Sequence, residues 1–305
     1  MIVVAGESLI DLVPLPAAAG SALLPPLLPR PGGGPYNTAV ALGRLGSPVA
    51  FCSRLSSDGF GEALLGGLRT AGVHTALVQR GPEPTSLAVA ELGADGSAGY
   101  RFYVTGTADR LFALPAELPD GVRALALGTC SLVLEPGASA YETLLRREAG
   151  RGVFTLLDPN IRPGLIPDAA AHRTRFRGWL PSVSLLKLSE EDAAWLGGAP
   201  DRWLSEGPAA VVTTHGARGL TVRTRAGVEA AVPAVDVAVA DTIGAGDTAN
   251  AALLHGLDRR GALSRRGLLA LDTAGWTEVL EFAARAAAVT CSRAGAEPPY
   301  AAELG

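Results

Sequence analysis

Cysteine is scarce in this chain. Cys52, Cys130 and Cys291 lie far apart without a CxxC pair, so neither a disulfide framework nor a zinc cluster is suggested, and buried free thiols are expected. The histidines at 74, 172, 215 and 255 include no pair four residues apart, the spacing that lets one helix face hold a catalytic metal. Long apolar runs are missing too. Glycine, proline and charged residues interrupt every stretch before it reaches the roughly twenty residues needed to span a bilayer, which excludes a membrane-spanning helix. The apolar start carries no basic leader, and Glu7 and Asp11 interrupt it before a signal-peptide core is complete, so a cytoplasmic protein is expected. Charge of one sign is also lacking. With 18% charged residues, a formal net charge of -4 and no long basic run, neither nucleic acid nor an anionic membrane is expected as a partner. The P-loop string G-x-x-x-x-G-K-[ST] does not occur.

What is present is a globular balance, with 48% hydrophobic residues in a chain of 305. That length admits about two domains, but one large α/β unit is equally compatible, and 38 glycines and 22 prolines can punctuate many strand-to-helix turns. Strand-like runs at Ala124 to Leu127, Val153 to Leu157, Leu185 to Lys187 and Ala210 to Thr213 alternate with helix-like spacing at Ala39 to Leu45, Phe60 to Ala71, Tyr141 to Gly150 and Trp276 to Cys291. A further strand is read over Met1 to Asp11. This alternation predicts the α/β class, with a mainly parallel sheet flanked by helices.

Two segments break the pattern. Val13 to Pro35 holds seven prolines and four glycines and is expected as edge or loop. Ser86 to Leu92 and Tyr100 to Val104 flank the turn signal Ala94-Asp95-Gly96-Ser97 and read as a β-hairpin. It serves either as a flap over one end of the sheet or as a plain surface hairpin.

The sharpest local feature is Asp241-Thr242-Ile243-Gly244-Ala245-Gly246-Asp247-Thr248, between the strand-like Val235 to Val239 and the small, apolar run Ala249 to Leu254. A glycine-rich turn opening a helix offers unpaired N–H groups and the positive end of the helix dipole, which together bind anions. Asp247 inside such a site weakens anion binding unless the carboxylate has work of its own, such as general-base catalysis in phosphoryl transfer. The same residues also read as a helix N-cap, and Gly244 to Ala249 matches a G-x-G-x-x-A dinucleotide fingerprint that lacks its acidic partner at the usual offset.

Asp241 to Asp247 resembles the C-terminal signature of the ribokinase-like (PfkB) carbohydrate kinases. Gly32-Gly33-Gly34-Pro35-Tyr36-Asn37, followed by Ser57-Asp58-Gly59-Phe60-Gly61, resembles the N-terminal one. Four further blocks are similar to the bacterial fructokinases within that family: Gly6 to Asp11, Asp158 to Pro163, Lys187 to Asp192 and Cys291 to Ala296. The resemblance covers nearly the whole chain. It implies a single ribokinase-like α/β domain over 1–305, with a small β lid formed by about 9–31 and 85–107.

The implied activity is transfer of the ATP γ-phosphoryl group to a primary sugar hydroxyl, fructose first, with 2-keto-3-deoxygluconate or another ketose as alternatives. The rivals of another class are a catalytically inactive sugar-binding regulator and an NAD-dependent oxidoreductase. By the same resemblance Asp247 is the base, the Gly244-Ala245-Gly246 turn holds the moving phosphoryl group and Arg162 lies near the phosphates. Asp11, Gly32, Gly33 and Asn37 meet the sugar; Lys187, Ser189, Thr214 and Gly216 lie on the nucleotide side. Asp192 reaches Mg2+ through water, although it stands where the ribokinase pattern has the longer Glu. A monovalent cation such as K+ around Asp241 and a homodimer through the lid complete the expectations. Arg101, beside Tyr100 and Tyr103, could meet a sugar-acid carboxylate or face solvent.

Overall fold

The computed structural model describes residues 1–15, 25–92 and 98–305. Its strands are β1 (Ile2–Ala5), β2 (Leu9–Pro14), β3 (Leu27–Gly32), β4 (Val49–Ser56), β5 (Val78–Gly81), β6 (Ser86–Leu92), β7 (Ala98–Tyr103), β8 (Ala124–Gly128), β9 (Phe154–Asp158), β10 (Leu185–Ser189), β11 (Ala210–Thr214), β12 (Leu220–Thr224) and β13 (Glu229–Val232). The helices are α1 (Gly34–Arg44), α2 (Gly59–Thr70), α3 (Gly137–Gly150), α4 (Ala169–Trp179), α5 (Glu190–Leu196), α6 (Pro200–Glu206), α7 (Ala245–Arg259), α8 (Arg265–Ala270) and α9 (Thr273–Cys291).

The main sheet has the order β13-β12-β11-β10-β9-β8-β1-β4-β5. From β11 to β5 every pairing is parallel, and β12 and β13 close the far edge antiparallel. The central strands are apolar without alternation because both of their faces are covered. In β1, Ile2 and Val4 point to one core, with residues of α1, α2, α7, α8 and α9. Val3 and Ala5 point to the other, with residues of α3, α4, α5 and α6. Two helix layers on one sheet are therefore written into a period of two along each strand. Trp276 and Trp179, each almost wholly buried, anchor the two layers; a large apolar side chain so placed contributes on the order of 1.5–3 kcal/mol.

A second sheet of four strands, ordered β3-β2-β6-β7, stands over the carboxyl ends of the main strands. β2 pairs antiparallel with β3 and parallel with β6, and β6 pairs antiparallel with β7. Its base is tied down at both sides of β6. Thr85 N and Thr85 Oγ1 donate to the Asp58 carboxylate at 2.9 and 2.7 Å, and Ser86 Oγ bonds to Asp109 Oδ1 at 2.5 Å.

Several readings of the sequence need correction. Met1 to Asp11 is two strands in two sheets, because Gly6, with φ of 148°, turns the chain out of the main sheet before β2 begins. Helix α1 starts at Gly34, not Ala39. Pro35 occupies its first turn, where a missing N–H costs nothing, so the helix precedes its apolar pattern. Val235 to Val239 is not a strand: β13 already ends the sheet, and Val235 and Val239 are exposed on a connecting segment. The proline-rich stretch contributes β3 as an edge strand, whereas residues 16–24 and the 94–97 turn signal of the hairpin lie outside the described residues.

Candidate active site

Helix α1 packs on α7 through small residues, among them Thr38, Ala39 and Ala41 against Ala249, Ala251 and Ala252. Small side chains let two helices approach closely, and this approach sets Asn37 against Asp247. Asn37 Nδ2 donates to Asp247 Oδ2 at 2.9 Å within the protein, across 210 residues of sequence. Asp247 lies in the first turn of α7, which Gly244 opens in the left-handed conformation, φ 77° and ψ -2°. A Cβ at Gly244 would lie 2.6 Å from Ala296, and one at Gly246 would lie 3.0 Å from Lys187 Nζ. The turn thus has no side chain at Gly244 or Gly246, and the cation stands directly beside it.

A cavity of about 490 Å³ opens above this turn. The second sheet roofs it with Asp11, Tyr100 and Phe102, α1 contributes Gly33, Gly34 and Asn37, and the strand ends bring Thr129, Asn160, Arg162 and Lys187. Asp11 Oδ2 occupies the space that a Cβ at Gly32 would need. Thr129 and Asn160 carry φ of 60° and 39°, the two non-glycine residues with positive φ among the described residues, and both line the cavity. Such conformations cost on the order of 1–3 kcal/mol each and gather where a structure holds a site in shape. Asn160 Nδ2 donates to Thr129 Oγ1 at 3.3 Å, and Arg162 Nη1 donates to Asn160 Oδ1 at 2.7 Å.

Beneath the turn, Lys187 Nζ donates to Asp158 Oδ2 at 2.8 Å, and Asn250 Nδ2 donates to the same oxygen at 2.7 Å. Burial works against the Lys187 charge, but Asp158, followed by Asp247 and Asp192, outweighs it and holds the ammonium above its ordinary pKa. Burial raises Asp247 to about 6, Asp158 adds to the rise, and the Asn37 hydrogen bond, Lys187 and Arg162 oppose it. Asp11 is raised to about 6 by burial and then by Asp247, and Glu7 to about 7, chiefly by burial.

Other expected residues lie apart from the cavity. Ser189 and Thr214 are register partners on β10 and β11, so Ser189, Thr214 and Gly216 extend the site along the carboxyl edge of the sheet. Asp192 is spent on the backbone. Its Oδ1 accepts from Ile161 N at 2.7 Å, and its Oδ2 accepts from Ser189 N at 3.0 Å and from Ser189 Oγ at 2.8 Å. Those bonds close a capping box on α5 and tie it to the Asn160 turn, which is the helix-start role of the Ser189 to Asp192 run. Among the described residues no group of three or more His, Cys, Asp or Glu side chains could hold a metal ion. Arg101 is exposed, and strand alternation turns it to the face opposite Tyr100 and Phe102, the solvent-facing alternative.

The pfkB family carbohydrate kinase model matches residues 1–302. The chain belongs to the pfkB family of carbohydrate kinases. It is 39% identical over 281 residues to the fructokinase of Rhizobium leguminosarum bv. trifolii, covering 89% of this chain and 84% of that one. Fructokinase-2 of Solanum habrochaites is 33% identical over 319 residues, covering 99% and 94%. The crystal structure of the Xylella fastidiosa fructokinase with bound ATP superposes with a TM-score of 0.88 at 28% identity, covering 99% and 97%. A fructokinase double mutant from Vibrio cholerae O395, in a form with bound fructose, ADP and potassium, gives 0.82 at 25% identity, covering 99% and 96%. The fold is accordingly ribokinase-like, and membership of the pfkB family displaces the dinucleotide reading of Gly244 to Ala249, which also lacks the preceding strand it would require.

For this pfkB protein, motif reading had left Glu7, Thr129, Asp158, Asn160 and Asn250 without roles. A compositional signal could have found two of them, Asn160 and Asn250. Lys187 is the single lysine of the chain, and Asn37, Asn160 and Asn250 are its three asparagines. All four meet at this site, the cavity and the Asp158 cluster beneath it, in a protein that uses arginine for every other fixed cation.

Proposed function

We propose that the protein is an ATP-dependent fructokinase that transfers the γ-phosphoryl group of MgATP to a primary hydroxyl of fructose. The observation that carries this reading is Asp247: a buried carboxylate directly after a glycine-rich turn at a helix N-terminus, with one oxygen engaged and the other turned toward Gly34 at the start of α1. Asn37 holds Oδ2, and Oδ1 lies 3.1 Å from where a Gly34 Cβ would stand, so Oδ1 is the oxygen that receives the hydroxyl proton. As that proton moves to Asp247, the sugar oxygen bonds to the γ-phosphorus and ADP leaves in line. The N–H groups of Gly244 and Gly246, with Lys187 beside them and Arg162 across the cavity, neutralise the moving phosphoryl group, while the Ala245 N–H is held by the Thr242 carbonyl at 3.3 Å.

Asp11, Gly32, Gly33 and Asn37 lie on the sugar side of Asp247. Ser189, Thr214 and Gly216 lead away from Lys187 across one strand spacing, on the order of 5 Å, along the path a nucleotide takes. Magnesium would come with the ATP phosphates and offset their charge, with Asp192 reaching it through water. A monovalent cation fits the Asp241 loop, whose carboxylate ties Ile243 N at 3.1 Å to Gly295 N at 2.9 Å. The second sheet acts as a lid that excludes water, and its outer surface supports a homodimer.

The test is ADP release with MgATP and fructose, ribose, other ketoses or 2-keto-3-deoxygluconate. Fastest release with fructose is expected. Faster release with another sugar replaces the substrate, and none with any sugar sinks the kinase reading in favour of a sugar-binding regulator.

A further inference from the structure

The Asp158 cluster asks for an explanation that sugar and nucleotide contacts do not supply. Asp158 sits at the last residue of β9 and is 4% exposed; Lys187 and Asn250 are equally buried, and Asn250 lies three residues past Asp247, on the same face of α7. One carboxylate oxygen, Oδ2, takes both the ammonium of β10 and the amide of α7. The remaining oxygens, Asp158 Oδ1 and Asn250 Oδ1, are buried without a protein partner. Both residues border a void of about 10 Å³, which Thr129, Thr38 and Asp247 also line. That is room for one water. Both orphan oxygens are acceptors, so a water donating to each satisfies them, and the Thr129 hydroxyl, which accepts from Asn160, keeps its own hydrogen for the water.

We propose that Asp158 is a positioning residue for phosphoryl transfer: through Oδ2 it clamps Lys187 and helix α7 to one point beneath the Gly244–Gly246 turn, and through Oδ1 it holds a buried water against Asn250. The clamp fixes two parts that the reaction needs in register, the cation beside Gly246 and the helix that carries Asp247. Neither Asp158 nor the water touches the transferred group. The proposal rests on the kinase reading for its kinetic consequence, but not for its electrostatic one. The groups that face Lys187 are Asp158, Asp247 and Asp192, and Asp158 is the one in contact.

The single lysine makes the test direct, because 13Cε-lysine labelling gives one side-chain signal. In the native protein that signal should stay unchanged up to the ordinary lysine range, about pH 10.4. In Asp158→Asn the contacting carboxylate is gone and only Asp247 and Asp192 still oppose burial, so the midpoint should move down by more than about 1 pH unit. The same variant should lose about tenfold to a hundredfold in kcat, with KM for the sugar within about twofold of native. Where Asp158→Asn does not fold, Asn250→Leu carries the test: it removes one of the two donors to Oδ2 and should lower kcat while sparing KM for the sugar. An unmoved lysine midpoint, or native kcat in a folded variant, overturns the proposal. Because the lysine signal is read without turnover, its failure is separate from failure of the fructokinase reading. A crystal structure should show one water between Asp158 Oδ1 and Asn250 Oδ1; an empty void removes the bridge.

Discussion

Asp247 concentrates the chemistry that single residues can test. Replacing it by Asn keeps the shape and removes the proton acceptor, so kcat should fall by roughly a hundredfold or more while ATP and sugar still bind; near-native turnover in Asp247→Asn excludes it as the base. Its pKa sets a pH dependence with a definite sign. The base works ionised and burial has raised it to about 6, so kcat/KM should be level above that pH and fall about tenfold per unit below it. The Asn37 hydrogen bond stabilises the ionised form. Asn37→Leu should therefore shift the acid limb to higher pH, which a pH profile of kcat/KM reads directly; an unshifted limb contradicts the assignment. These residues were legible in sequence to unequal degrees. Asp247 announced itself because a carboxylate in an anion-binding turn is an electrostatic oddity. Asp158 and Asn250 did not, because each acts only through a partner dozens of residues away.

At the scale of elements, the parallel strands and their helices could be read because burial on two faces leaves an apolar run that needs no context. What could not be read were boundaries set by backbone geometry. Gly6 splits one apparent strand between two sheets, and α1 begins at a glycine and a proline that carry no periodic signal. Val235 to Val239 misled because its alternation is real but finds no neighbouring strand. The joint between the sheets is testable. Asp58 caps α2 through Gly61 N at 2.7 Å and also holds Thr85 at the base of β6. Asp58→Ala should destabilise the protein by about 1–2 kcal/mol in denaturant unfolding, the upper range for a lost cap, and should raise KM for the sugar by loosening the roof. A variant with native stability shows that the joint does not restrain the second sheet.

Across the whole molecule, the cavity is made by closing one sheet over the ends of another, and neither sheet contains it alone. The roof also leaves Leu27 and Tyr103 exposed, at 41% and 55%. If that surface pairs subunits, sedimentation should give a dimer at micromolar concentration, and Tyr103→Glu should convert it to monomer; a native protein that sediments as a monomer removes the lid from any assembly role.

The arginine-only surface has a practical consequence. Lys187 is the chain's sole lysine and lies 4% exposed beside the Gly244–Gly246 turn. An acylating reagent therefore finds one amine besides the amino terminus, and reaches it only when the core beneath the cavity opens. The rate of that modification is a clock for local opening at the Gly244–Gly246 turn, and occupancy of the cavity by nucleotide should slow it.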